Sequence, residues 1–124
     1  MKITSPQDCD NSPKRTIIKE LNIAFAEANI PTLEELFHPD IEWDMVGDRK
    51  IKGLEEIIKF LENIKVKKAI ALNLEQIITH GKYASAVGIL TFKENKIAFH
   101  DHYEFTSAGS NKLKKIVSFA IDVK

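Results

Sequence analysis

The sequence predicts a single α+β domain, and three observations support that prediction. In two long stretches of the first half, apolar side chains recur every three or four residues, which is the spacing of one helix face. In the second half, four segments alternate apolar and polar residues, as half-buried strands do. The linkers between those segments are short and polar and contain glycine or asparagine, which is typical of hairpins. Helices followed by an antiparallel meander indicate a sheet with its helices on one face.

Three helices are predicted before the meander. Ser12 and Pro13 begin the first, since serine caps free N–H groups and proline fits the first helical position. Its apolar stripe comprises Ile17, Ile18, Leu21, Ala24, Phe25 and Ala28. Residues 32–37 form a short second helix, which ends before Pro39. The third helix begins at Gly53, and its apolar face comprises Leu54, Ile57, Ile58, Leu61 and Ile64.

Five strands are predicted. The first covers residues 41–45, where apolar and charged side chains alternate between the second and third helices. The four strands of the meander cover 70–78, 83–92, 96–106 and 113–123. Residues 1–12 have no periodic pattern, so we expect a flexible lead-in there and a single domain at 13–124.

Composition limits the classes of function. Of the 124 residues, 44% are hydrophobic and 29% are charged, as in ordinary soluble domains. The 18 Lys and Arg residues balance the 18 Asp and Glu residues, so a nucleic-acid partner is not expected. The single cysteine, Cys9, forms no internal disulfide, and no apolar run is long enough for a bilayer span or resembles an export signal. We therefore expect a cytoplasmic protein with no membrane partner.

Three stretches carry a family resemblance through their order and spacing. They are NIPTLEELFHPD at 29–40, IEWDMVG at 41–47 followed by IKGLEEI at 51–57, and DHYEF at 101–105 followed by KLKKI at 112–116. Together they resemble the nuclear transport factor 2-like superfamily, especially its SnoaL-like and ketosteroid-isomerase-like branches, over residues 14–123. The resemblance implies a cone-shaped, curved antiparallel sheet that wraps around about three N-terminal helices and encloses a deep, mainly apolar pocket.

That superfamily includes isomerases, cyclases, dehydratases and epoxide hydrolases as well as non-catalytic binding proteins, so its fold does not select one activity. The resemblance implies a small apolar or weakly polar ligand and, if the protein is an enzyme, acid–base chemistry without a cofactor. The alternative is a non-catalytic ligand-binding or dimeric assembly module. A second titratable group near the acid of the pocket would favour the enzyme hypothesis, and its absence would favour the binding hypothesis.

Asp101 is the leading catalytic candidate. The resemblance places it where the isomerases have a carboxylic acid that faces the pocket. An apolar cavity disfavours the charged form, and a neutral acid can donate a hydrogen bond to a developing oxyanion, as in ketosteroid isomerase. The alternative is an Asp101 that pairs with a lysine or caps a backbone group.

Two residues of this sequence are candidates for the position that the general base occupies in the isomerases. Counting back from Gly53 gives Asp44, whereas counting forward from Asp40 gives Met45. Strand alternation puts Trp43 and Met45 on one face and Asp44 on the other, and burying the apolar face costs less. The position of the isomerase tyrosine falls near Leu21, so steroid isomerase activity is not expected.

The alternation of side chains also assigns the residues of the last two strands to the two faces of the sheet. One face of the third meander strand carries Phe99, Asp101, Tyr103 and Phe105, and the pocket side of the last strand carries Ile116, Ser118, Ala120 and Asp122. We expect Tyr103 and Ser118 to hydrogen-bond a ligand and Trp43, Met45 and Phe105 to shape the pocket wall, although Tyr103 fits the core equally well.

His100 and His102 project together from the opposite face of that strand. Nothing in the spacing brings them a third ligand, so no metal site is predicted. They would lie on the outer surface of the sheet, which often forms the dimer contact in proteins of this resemblance. A homodimer through that surface is therefore expected.

Overall fold

The computed structural model describes residues 1–6, 12–63 and 67–123 and confirms the α+β prediction. These residues form three helices and one curved, unclosed sheet of seven strands. Cys9, and Ile64 of the predicted third helix, lie outside the described residues. None of the described helices is long and apolar enough to cross a membrane.

The elements follow one another as the sequence indicates, with two additions. The helices are α1 (Pro13–Ala26), α2 (Ile30–Leu36) and α3 (Leu54–Asn63). The strands are β1 (Lys2–Thr4), β2 (Phe37–Met45), β3 (Arg49–Lys52), β4 (Ala71–His80), β5 (Tyr83–Thr91), β6 (Lys96–Phe105) and β7 (Leu113–Val123). Their order across the sheet is β1-β4-β5-β6-β7-β2-β3, in which β1 runs parallel to β4 and β2 parallel to β7.

The two additions are the short edge strands. β1 lies within the predicted flexible lead-in, where its exposed residues pair with β4 and Lys2 N–H donates to the Ile70 carbonyl at 3.0 Å. β3 pairs with β2 in the stretch between the predicted strand at 41–45 and the third helix, for which no element was predicted. Strands of three and four residues are too short to show a period, so only pairing with a neighbouring strand reveals them.

The helices cover the inner face of the sheet, and the core is continuous at one end of it. Ile18 and Leu21 of α1, together with Ile57 of α3, are fully buried there. The end of β6 and the start of β7 supply more of this core through Tyr103, Phe105, Leu113 and Ile116. Because side chains fill this end, the space that remains lies at the opposite end of β6 and β7.

A close approach of strands near the middle of the sheet requires glycine. A Cβ added at Gly88 of β5 would lie 2.4 Å from the Asn73 carbonyl oxygen and 2.9 Å from the Phe99 ring. The register of β4 against β5 shifts between Leu74 and Gln76, next to this point. Bulges and glycines of this kind let a sheet bend, and here they set the Phe99 ring against the inner wall.

Candidate functional site

A cavity of about 680 Å³ lies between α1 and the inner face of strands β2, β5, β6 and β7. Seven apolar side chains form its walls: Phe25, Trp43, Met45, Leu90, Phe92, Ile97 and Phe99. Five exposed residues form its mouth: Val46, Asp48, Lys67, Asn95 and Ala120. Three polar side chains line its inner end: Asn22, Asp101 and Ser118. The arrangement is an apolar chamber with a small polar cluster at its base, which is typical of small-molecule sites.

Four of the predicted site residues line this cavity. Asp101 and Ser118 lie opposite each other across β6 and β7, and Met45 pairs with Ser118 across β2 and β7. Trp43 completes the group, with its indole ring against Phe25 at a centroid distance of 5.5 Å. The inward positions of Trp43 and Met45 agree with the alternation argument, since both are half-buried and apolar.

Asp44 does not lie in the cavity. It occupies the opposite face of β2 from Trp43 and Met45 and is absent from the lining. Of the two alternatives for the general-base position, Met45 is the one that lines the cavity, and its thioether cannot accept a proton at physiological pH. Among the described residues that line the cavity, the titratable groups besides Asp101 are Asp48 and Lys67, which both lie at the exposed mouth.

Tyr103 and Phe105, which the sequence predicts to contact a ligand, are buried outside the lining of the cavity. Their exposed fractions are 1% and 0%, and neither residue lines the cavity. Alternation gave the correct face of β6 but carries no information about depth along the strand. The Phe105 ring instead packs under the ammonium of Lys14, which lies 3.9 Å from the ring centroid.

The Tyr103 hydroxyl nevertheless reaches the site through a chain of hydrogen bonds that begins on α1. The Asn22 side-chain N–H₂ donates to the Ile18 carbonyl at 2.9 Å and to the Tyr103 hydroxyl at 3.1 Å. Tyr103 in turn donates to Asp101 Oδ2 at 3.1 Å. Tyr103 thus positions and stabilises the Asp101 carboxyl from behind the cavity.

A second chain reaches Asp101 from β2. The indole N–H of Trp43 donates to Ser118 Oγ at 2.9 Å. Ser118 lies directly opposite Asp101 across β6 and β7, and its hydroxyl lowers the pKa of the Asp101 carboxyl by favouring the carboxylate form. The polar base of the cavity is therefore a connected network rather than a set of separate groups.

Burial dominates the proton equilibrium of Asp101. Loss of water raises the pKa of its carboxyl from 3.8 to about 6, against the opposing effects of hydrogen bonds from Ser118 and Tyr103 and of the nearby His100. Burial, followed by the charge of Asp101, raises the pKa of Tyr103 well above its ordinary value, so Tyr103 stays protonated at neutral pH. Asp101 is thus the group at the base of the cavity that can exchange a proton near neutrality.

This shift links the stability of the fold to pH. Because the pKa of Asp101 is higher in the folded state, folding takes up a proton at this group between pH 3.8 and about 6. The contribution of Asp101 to stability is complete below the lower value and is lost as the pH rises through the upper one. At neutral pH the fold therefore keeps a carboxylate that burial disfavours, as proteins often do at functional sites.

Asn22 is the site residue that the sequence analysis missed. It lies between Leu21 and Phe25 in the apolar stripe of α1, and its side chain is 5% exposed. A polar residue within an apolar helix face is itself a signal, since burial of an amide without hydrogen bonds is costly. Its partner, Tyr103, lies 81 positions away, so the signal has no local interpretation.

The histidines lie as predicted on the outer face of β6, where both are exposed. His102 stacks on the Tyr83 ring at a centroid distance of 5.7 Å. In the described part of the chain, no group of three or more His, Cys, Asp or Glu side chains is arranged to hold a metal ion.

Comparison with known proteins identifies the fold. No protein-family model matches the chain, and no curated protein matches it in sequence. Among solved structures, an NTF2-like protein of unknown function from Cytophaga hutchinsonii matches with 22% identity and a TM-score of 0.69, covering 86% of this chain and 97% of that one. A putative SnoaL-like polyketide cyclase from Shewanella denitrificans matches with 17% identity and a TM-score of 0.74, covering 89% and 92%.

A putative ketosteroid isomerase from Kribbella flavida matches with 12% identity and a TM-score of 0.74, covering 94% of this chain and 82% of that one. The fold is therefore the nuclear transport factor 2-like fold that the sequence resemblance implied. At these identities the likeness establishes the fold, and the chemistry has to be argued from the site.

Proposed function

We propose that this protein binds a small, mainly apolar molecule in the cavity, with the polar group of that molecule at Asp101. The observation that carries the proposal is the separation of the lining into apolar walls, an exposed mouth and a polar base. Apolar walls favour a ligand body because burial removes both surfaces from water. A single polar cluster then fixes the orientation of the ligand.

Among the described residues, no second titratable group lines the inner end of the cavity beside Asp101, and this favours binding over catalysis. Within the described lining, Asp48 and Lys67 lie at the mouth, and Tyr103 lies behind Asp101 with a raised pKa. General acid–base catalysis commonly divides proton removal and proton donation between two groups. A chamber with one proton-exchanging carboxyl is sufficient for recognition of a polar group.

The binding proposal predicts that an obstruction at the mouth blocks an apolar probe. Ala120→Trp places an indole at the exposed rim of the cavity, and we expect it to weaken the binding of Nile red by roughly tenfold or more. Ile121→Trp is the matched control, since Ile121 neighbours Ala120 on the opposite face of β7 and is 68% exposed. Fluorescence titration of Nile red measures both variants against the wild type.

Equal binding in the wild type and Ala120→Trp would contradict the proposal. Loss of binding in Ile121→Trp alone would also contradict it, because that result would place the probe on the outer face of the sheet.

A second candidate function is proton transfer by Asp101 without a cofactor, in an isomerisation, cyclisation, dehydration or hydrolysis. The observation in its favour is the pKa of Asp101, which at about 6 lies close to neutrality. A single carboxylate can accept a proton from one atom of a substrate and return it to another. Its apolar surroundings would make it a stronger base than an exposed aspartate.

Proton abstraction can be tested with nitrobenzisoxazole, a flat apolar probe that opens to a coloured cyanophenolate when a base removes its C–H proton. We expect the wild type to accelerate this reaction over Asp101→Asn by roughly a hundredfold, as positioned bases do. The rate should rise with pH through about 6, because only the ionised carboxylate accepts the proton. Equal rates for the wild type and Asp101→Asn would exclude this function.

We further propose a homodimer through the outer face of the sheet. Phe119 and Ile121 of β7 are 51% and 68% exposed, and they border a shallow groove of about 270 Å³ with Val87, Ile89 and Ala98. Exposed apolar patches of this kind commonly mark interaction surfaces. A cytoplasmic location stays a prediction of the sequence.

Sedimentation equilibrium tests the dimer directly. We expect the wild type to dimerise and Phe119→Glu to weaken the dimer by roughly a hundredfold, since a desolvated charge is costly at an interface. Val46→Glu is the control, because Val46 is 46% exposed but lies at the mouth of the cavity and not on the outer face of the sheet. A wild type that remains monomeric at all concentrations contradicts the proposal.

A further inference from the structure

We infer that the polar group of the ligand is a protonated amine, carried on an apolar body and bound by the Asp101 carboxylate. The inference rests on the proposed binding function and narrows it to one ligand class. It depends on the direction of the hydrogen bonds around Asp101, on the charges of the lining and on the aromatic character of the walls.

In the first chain of hydrogen bonds, which links Asn22, Tyr103 and Asp101, the donor and the acceptor of each bond can be assigned. The Ile18 carbonyl accepts from the Asn22 side chain, which fixes the amide nitrogen at this position. The same nitrogen lies 3.1 Å from the Tyr103 hydroxyl, so Tyr103 accepts there. The one hydrogen of Tyr103 is then left for Asp101 Oδ2. Tyr103 donates to the carboxyl group.

The second chain has the same direction. An indole N–H only donates, so Ser118 Oγ accepts the hydrogen of Trp43. The hydroxyl hydrogen of Ser118 is then available to Asp101, which lies directly opposite Ser118 across β6 and β7. Two neighbours therefore donate to Asp101, and this arrangement suits a carboxylate, which is an acceptor only. The partner that completes such a group from the cavity side is another donor.

Among the residues of the lining that the structure describes, none supplies a counter-ion beside this carboxylate. Lys67 is the sole cationic side chain among the described residues of the lining, and it lies at the exposed mouth together with Asp48. His100 projects from the opposite face of β6, and the Tyr103 phenol remains neutral. Strands β2, β5 and β7 and helix α1 present Trp43, Ala86, Ser118 and Asn22 toward Asp101, none of which is titratable.

A cationic ligand would supply the missing positive charge. Between apolar walls, an ammonium beside a half-buried carboxylate gains more than it would in solvent. The rings of Phe25, Trp43 and Phe99 line the same chamber, and aromatic rings attract a cation that lies over their faces. An anionic ligand would meet repulsion from Asp101, and a neutral alcohol would gain only one hydrogen bond.

Three probes with the same octyl chain separate the possibilities: octylamine, octanol and octanoate. Isothermal titration calorimetry measures their affinities, and the emission of Trp43, the one tryptophan of the chain, reports occupancy of the cavity. At about pH 8 we expect octylamine to bind roughly tenfold more tightly than octanol, and octanoate more weakly than both. Near pH 5 the amine should lose that advantage, because Asp101 is then protonated.

Asp101→Asn tests whether the Asp101 carboxylate causes the preference for octylamine over octanol. Asp44→Asn is the matched control. Both variants remove one negative charge, but Asp44 lies on the opposite face of β2, outside the cavity. We expect Asp101→Asn to bind octylamine and octanol within about twofold of each other. Asp44→Asn should keep the wild-type preference. Circular dichroism of both variants checks that the fold is retained.

Octanol binding as tightly as octylamine at about pH 8 would overturn the amine inference and leave the binding function intact. An amine preference that persists in Asp101→Asn would overturn it as well, since the preference would then arise elsewhere. Failure of all three probes to bind would contradict the proposed binding function and the inference with it.

Discussion

The buried carboxyl group of Asp101 has to be supplied with hydrogen bonds, and the inner end of the cavity is organised around that requirement. Four elements meet there, and each provides one part of the network. Helix α1 contributes Asn22, β2 contributes Trp43, β7 contributes Ser118, and β6 itself contributes Tyr103 two positions further on. Without these hydrogen-bond donors, the ionised Asp101 carboxyl would destabilise the fold by several kcal/mol more. That is on the order of the free-energy cost of burying an ion that has no partner.

The network depends on the sheet topology. Because β2 runs parallel to β7, Trp43 pairs with Ile116 and Met45 with Ser118, which places the indole within reach of the Ser118 hydroxyl. Antiparallel pairing of β6 and β7 sets Asp101 opposite Ser118. A shift of either register by one residue would turn one member of the cluster to the outer face. The polar base of the cavity is thus a consequence of strand order and register.

Burial of Asp101 destabilises the fold when its carboxyl is ionised, but the proposed function requires a carboxyl group at this position. Burial raises its pKa, whereas both chains of donors stabilise the ionised form, and the resulting value lies close to neutrality. The family resemblance implied a neutral acid that donates a hydrogen bond. The hydrogen bonds of the structure instead favour a carboxylate that accepts from its neighbours. Either role requires the half-buried position at the inner end of an apolar cavity that this residue occupies.

Much of this fold could be predicted from the sequence, because its helices and long strands are periodic over many residues. The alternation along β6 correctly assigned Asp101 to the inner face and His100 to the outer face. The edge strands β1 and β3 were missed, since pairing with neighbours defines them. The role of Asn22 was missed for a related reason, as it depends on a partner that only the folded chain brings near. Tyr103 is fully buried because side chains fill its end of the sheet. The alternation of residues along a strand predicts the face on which a side chain lies but not how deeply it is buried.

The most direct test of the central claim is the carboxyl pKa of Asp101, measured by carbon-detected NMR titration and assigned with Asp101→Asn. For the wild type we predict a value of about 6. In Tyr103→Phe and in Ser118→Ala the value should rise by roughly one further unit, because each variant removes a donor to the carboxylate. A wild-type value at or below the ordinary 3.8 would contradict the buried site, and unchanged or lower values in both variants would contradict the two donor chains.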